Sequence, residues 1–174
     1  MTQWVIDEKP FDVLAEQCRT SAPRFEPGVL TVVDEVERRV GASSFPWRRG
    51  LIAASDGNGQ RIITVHPVMS GTPAFEYLFS ELRPHLPSSD KDLVEHLSIA
   101  ACAHDLPEAV FVAADKGAAF LALSELGRGR VATPFDLWDD LLGRSVIALD
   151  DFKRLCAATE RSMQPLRTPV RLRR

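Results

Sequence analysis

The chain has 174 residues, 45% of them hydrophobic and 26% charged, the composition of one ordinary globular domain rather than of a disordered chain. No apolar run approaches the ~20 residues of a membrane helix. The charged opening MTQWVIDEKPFD lacks the apolar centre of a secretion signal, so a cytoplasmic protein without membrane contact is expected. A net charge of −3 argues against a polyanion binder that relies on lysine and arginine alone.

In chain order, Trp4–Ile6 is a short apolar run ending at Asp7, and a helix follows in which Phe11, Val13, Leu14 and Cys18 recur at helical spacing. Leu30, Val33, Val36 and Val40 predict a second helix, closed by Gly41. Between residues 43 and 75, LIAASDGNGQRIITVHPV predicts two β-runs joined by a turn at Asp56–Gly59, a loop or hairpin inserted into the domain. PAFEYLFSELR predicts a helix, as does DLVEHLSIAACAHD, with Ser89 and Asp92 resembling a capping box. AVFVAAD is apolar up to its aspartate, the mark of a strand covered on both faces in a parallel sheet. KGAAFLALSELG predicts a helix stopped by Gly127, RVAT a short strand, Pro134 a helix start, and Leu149 to Ser162 a last helix. Strands alternating with helices predict βαβ units, hence one α/β domain over residues 1–162 with a mainly parallel sheet. The basic tail, residues 163–174, carries Arg167, Arg171, Arg173 and Arg174, either as a solvated terminus or as a contact to phosphate or a partner.

Cys18, Cys102 and Cys156 are scattered and form no CxxC pair, and His66, His85, His96 and His104 form no HxxxH pair. Disulfides and structural zinc are therefore not expected. No GxSxG elbow, phosphate-binding loop or GxGxxG fingerprint occurs. Phe45, Trp47 and the Phe75–Phe79 segment belong either to the core or to an apolar surface for a partner helix.

The chemistry on offer is carboxylate chemistry. Asp7 and Asp115 each follow an apolar strand and precede a helix, so in a parallel sheet with those strands adjacent they would meet at the carboxyl-end crevice. The competing reading of each is a helix N-cap. Glu95 lies in a helix with apolar residues around most of its circumference, where a carboxylate must be paired, hydrogen-bonded or metal-bound unless it points out beside Asp92 and His96. Glu35 sits in the charge run TVVDEVERR, which by itself suits a solvated helix face. Together, four acids at one crevice would suit Mg²⁺ or Mn²⁺ and water-mediated attack on phosphorus.

With the acids so placed, the chain resembles the PIN-domain family. The likeness is carried by residues 88–143, an acid in a small-residue helix, a buried strand ending in Asp115, an Ala- and Leu-rich helix, then a short strand and helix. WVID and LTVVDEVERRV resemble the family's first strand and second acidic helix. The resemblance implies a three-layer α/β/α sandwich and metal ligation by Asp7, Glu35, Glu95 and Asp115, with His96 in place of Glu95 if the alignment shifts by one residue. It also implies Mg²⁺- or Mn²⁺-dependent endoribonuclease activity on an RNA substrate, often within toxin–antitoxin pairs. Expected partners are accordingly RNA, an antitoxin-like protein, and a second copy of the chain in a homodimer. Two other readings stand beside this one. Glu8 and Lys9 directly after Asp7 suit a binding or assembly module without catalysis, Lys9 acting as a fixed internal cation. Strand-end aspartates also suit a receiver-like, Mg²⁺-dependent signalling domain.

Overall fold

The computed structural model describes residues 2–18, 26–85 and 92–166. Its centre is a five-stranded, all-parallel sheet in the order β3-β2-β1-β4-β5. The strands are β1 (Trp4–Ile6), β2 (Leu30–Val33), β3 (Ile63–His66), β4 (Val110–Val112) and β5 (Val131–Ala132). The helices are α1 (Glu8–Gln17), α2 (Asp34–Gly41), α3 (Pro46–Ala53), α4 (Pro73–Tyr77), α5 (Leu93–His104), α6 (Lys116–Leu126), α7 (Pro134–Gly143) and α8 (Leu149–Ser162).

Chain connectivity decides which face each helix covers. From β1 the chain steps outward through α1 to β2 and on to β3, then crosses back to β4 through α4 and α5. Right-handed crossovers running in opposite directions put their helices on opposite faces. Accordingly α5 packs across β1, β2 and β4 with α4 and α6 beside it, while α1 packs against α3 and α8, and α8 against α7. The result is a three-layer α/β/α sandwich. Side-chain alternation divides the apolar residues in the same way: Val5, Phe111 and Val131 join Ile99, Cys102 and Ala119, whereas Trp4, Ile6 and Val112 join Phe11, Leu14 and Trp138. Two buried indoles are hydrogen-bonded. The Trp138 indole donates to Thr159 at 2.9 Å, joining α7 to α8, and the Trp4 indole donates to Asp140 at 2.7 Å.

Several expectations need correction. Leu30–Val33 is a strand rather than the start of a helix, which begins at Asp34. The β-branched run Thr31-Val32-Val33, paired with β3 throughout and with β1 at Thr31, and buried, overrides an apolar spacing that also fits a helix. Leu51–Ala53 ends a helix opened by Pro46 instead of forming a β-run. The turn at Asp56–Gly59 is present, with the Asp56 carboxylate accepting the N–H groups of Asn58 and Gln60 and Gly59 at φ +79°. It carries one antiparallel bridge, Ser55 to Arg61, after which Ile63–His66 joins the main sheet as its edge strand. Residues 43–75 are thus part of the sandwich, not an insertion. β4 stops at Val112, leaving Asp115 beyond the strand end. The strand order also departs from the 2-1-3-4-5 order of receiver-like sheets, which removes that reading.

Trp47 and Phe75 pack against the core, while Phe45 and Phe79 are about half exposed. Cys18 and Cys102 are buried free thiols pushed up to about 12 by burial, as expected of inert apolar residues. No helix among the described residues is long and apolar enough to cross a membrane. The Ser89 half of the capping box and the arginine tail lie outside the described residues.

Candidate acidic site

The strand order reverses between β1 and β4, the position where open parallel sheets leave a crevice outside their carboxyl ends. The two strands are paired directly, Ile6 opposite Val112, so the residues just past each strand end meet at that crevice.

Asp7 comes immediately after β1 and is buried, 8% exposed. It caps α1, one carboxylate oxygen accepting the Glu8 N–H at 2.6 Å. Burial pushes its carboxyl up to about 6 against that hydrogen bond, with Glu8 and Asp115 adding to the rise and Lys9 opposing it. Asp115 caps α6, its Oδ1 accepting the Ala118 N–H at 3.0 Å. Its Oδ2 accepts from the Lys9 ammonium at 3.2 Å. Burial alone would raise the Asp115 carboxyl, but the Ala118 N–H, the Lys9 ammonium and the Gly117 N–H together hold it below its ordinary value.

Glu95 comes from the first turn of α5, a helix buried along most of its length. Burial is the main reason its carboxyl is pushed up to about 7, and the charges of Asp7, Asp115 and Asp92 push the same way against Lys9. His96 is buried and its electrostatic partners are Asp92 and Arg83. Glu95, not His96, is therefore the α5 residue coupled to Asp7 and Asp115. Burial lowers the tendency of the His96 ring to take a proton, and among the described residues its Nδ1 has no hydrogen-bond partner.

Glu35 belongs elsewhere. Arg38 grips it through two nitrogens, one at 2.6 Å, and Arg39 donates to it at 3.1 Å. Those hydrogen bonds, the Arg38 one first, pull its carboxyl below the ordinary value, with the charges of Arg38 and Arg39 adding to the pull. Arg39 also reaches Glu8 at 3.1 Å, and Arg48 reaches Glu8 at 2.7 Å, so Glu8 joins α1 to α2 and α3. Sequence reading missed this role of Glu8. The two arginines that reach it, Arg39 and Arg48, stand 31 and 40 residues away along the chain, so local spacing carried no signal.

Compared with known proteins, the chain matches no protein-family model, no curated protein and no solved structure.

Three of the four expected acids, from three separate elements, thus come close enough to perturb one another. Both strand-end aspartates act as helix N-caps as well, so the two readings of each coexist. As the side chains stand, no group of three or more His, Cys, Asp or Glu among the described residues is arranged to hold a metal ion. The Lys9 ammonium occupies one face of Asp115. That pair is open to solvent, the Lys9 side chain 53% and the Asp115 side chain 33% exposed, and such pairs contribute about 0–1 kcal/mol. Moving Lys9 aside costs little. The donor set then left is three carboxylates, hard oxygen ligands of the kind Mg²⁺ and Mn²⁺ take.

Proposed function

We propose that the chain is a Mg²⁺- or Mn²⁺-dependent endoribonuclease whose acidic site consists of Asp7, Glu95 and Asp115, without Glu35. The observation that carries this reading is the meeting of carboxylates from β1–α1, α5 and α6 at the point where the strand order reverses. A cluster with more negative charge than its neighbours offset favours either protons or a divalent cation. A cation bound there would neutralise charge building on a phosphate and make water a better nucleophile. The chain's own residues supply the frame. Asp7 is fixed by its cap and its burial, Glu95 by a buried helix, and Asp115 by the Ala118 N–H, which leaves its Oδ2 free once Lys9 withdraws. No serine, cysteine or histidine nucleophile is required. The choice of RNA, and of an antitoxin-like partner, rests on the resemblance of residues 88–143 to PIN domains.

A second reading is a binding or assembly module on the same fold. The 3.2 Å contact of Lys9 with Asp115 favours it, because an ammonium there does part of the neutralising a metal would do.

Thermal melting with and without millimolar Mn²⁺, on wild type and Asp115→Asn, separates the two. The nuclease reading expects a rise in Tm for wild type alone. It also expects Mn²⁺-dependent RNA cleavage that falls about a hundredfold or more in Asp115→Asn, since metal-based charge stabilisation is worth several kcal/mol. Cleavage unchanged in the variant removes the enzyme, and a wild type indifferent to Mn²⁺ leaves the binding module.

A further inference from the structure

Next to the acidic site lies a cleft of about 720 Å³ that the carboxylate chemistry does not use, lined in part by Lys116, Phe135, Glu160, Met163 and Gln164. We infer that this cleft is the subsite for one unstacked nucleotide of a single-stranded RNA, Phe135 receiving the base and Lys116 the adjoining phosphate. The inference rests on the nuclease reading of the neighbouring acids.

Position is the first argument. Lys116 directly follows Asp115, and Gln164 pairs with Asp115 through a parallel backbone bridge, so the cleft begins where the acidic site ends. Phe135 is the second residue of α7, which starts just past β5, the neighbour of β4 in the sheet. The cleft therefore continues the same carboxyl-end crevice by one strand.

Lining chemistry is the second. Phe135 is half-buried and packed against the core, so its ring is held in place before anything binds. The Met163 thioether adds a polarisable apolar wall. Aromatic platforms of this kind take any base by its π-face. The exposed Lys116 ammonium supplies the charge a phosphate needs at the rim. Glu160 and Gln164 add edge-on acceptors, and a carboxylate accepts from an exocyclic amino group. Cytosine, adenine or guanine therefore suits the cleft better than uracil. An apolar peptide would leave Lys116 and Glu160 unmatched. The volume falls in the range of small-ligand sites. A base within a duplex could not enter without leaving its stack, so the substrate is single-stranded.

The test is binding, measured apart from cleavage. A fluorescent single-stranded RNA of about ten nucleotides is titrated in EDTA with wild type, Phe135→Leu and Phe135→Tyr, and their melting curves confirm folding. Phe135→Leu should bind about tenfold more weakly, the order expected for one lost stack, while Phe135→Tyr should stay within about twofold of wild type. One abasic position in the RNA should weaken wild type by about tenfold and leave Phe135→Leu unaffected, the non-additivity of partners in contact. Equal binding by Phe135→Leu, an abasic loss that persists in it, equal competition by duplex RNA, or no RNA binding by wild type each overturns the subsite. Because wild type needs no variant, the abasic scan still decides if Phe135→Leu fails to fold: a flat scan overturns the proposal. Coupled binding without Mn²⁺-dependent cleavage keeps the subsite and removes the nuclease. Asp115-dependent cleavage without coupling removes the subsite alone.

Discussion

Two groups of carboxylates flank the junction of β1 with α1, and they are balanced differently. On one side Glu8 and Glu35 meet Arg38, Arg39 and Arg48, and the carboxyl of Glu35 is pulled below its ordinary value. On the other, Asp7, Glu95 and Asp115 have Lys9 beside them, and two of the three are pushed up towards neutrality. Adjacent residues, Asp7 and Glu8, thus belong to sites of opposite character. The paired group is a brace between α1, α2 and α3. The underpaired group favours a bound proton or cation, the property on which the proposed metal site depends.

The largest expected effect is on stability against pH without metal. Asp7 and Glu95 have folded values above their unfolded ones, so the folded state holds extra protons and their contribution is complete below about pH 4. It is lost as pH rises through 6 and 7. Asp7 alone should lower unfolding free energy by about 1–2 kcal/mol between pH 5 and 8, with Glu95 adding in the same direction. Glu35 and Asp115, held low, act oppositely and only near pH 4 and below. Urea titrations in EDTA at several pH values read this directly. A profile flat or rising from pH 5 to 8 would break the contrast, and millimolar Mn²⁺ should flatten the fall.

Next in size is Glu95→Gln, which removes the like charge while keeping the shape. We expect it to stabilise the metal-free protein by about 1–2 kcal/mol at pH 8 and to reduce the Tm response to Mn²⁺. Destabilisation at pH 8 would mean that Glu95 is already neutralised. The smallest effect belongs to the brace. Glu35→Gln should cost about 0.5–1 kcal/mol, less at high salt, with the Mn²⁺ response unchanged. A lost Mn²⁺ response in that variant would return Glu35 to the metal site.

Legibility was greatest where local chemistry agrees with the tertiary outcome. Helix α8 was readable to its bounds, and the Gly127 stop is realised at φ +75°. Helix α3 was not, because Leu51 and Ile52 are as apolar as a strand and the Pro46 start signal stands five residues earlier. At the site, strand-then-aspartate drew attention to Asp7 and Asp115, and an apolar helix to Glu95. Glu35 looked equivalent because a sequence shows that an acid is present and not which cation reaches it. Arg38 and Arg39, three and four residues on, are on the same helical face.

From residue order alone came the strand–helix alternation from α5 onward, the burial of β4 on both faces, and the identity of the acids that strand ends and one apolar helix can present. Those come from periodicity, capping and the cost of burying polar groups, all local along the chain. Only the tertiary structure decided that β1 lies against β4, that Glu95 and not His96 is coupled to Asp7 and Asp115, and that Lys9 leans on Asp115. Electrostatic energy depends on separation in space and on the medium between charges, and chain order specifies neither.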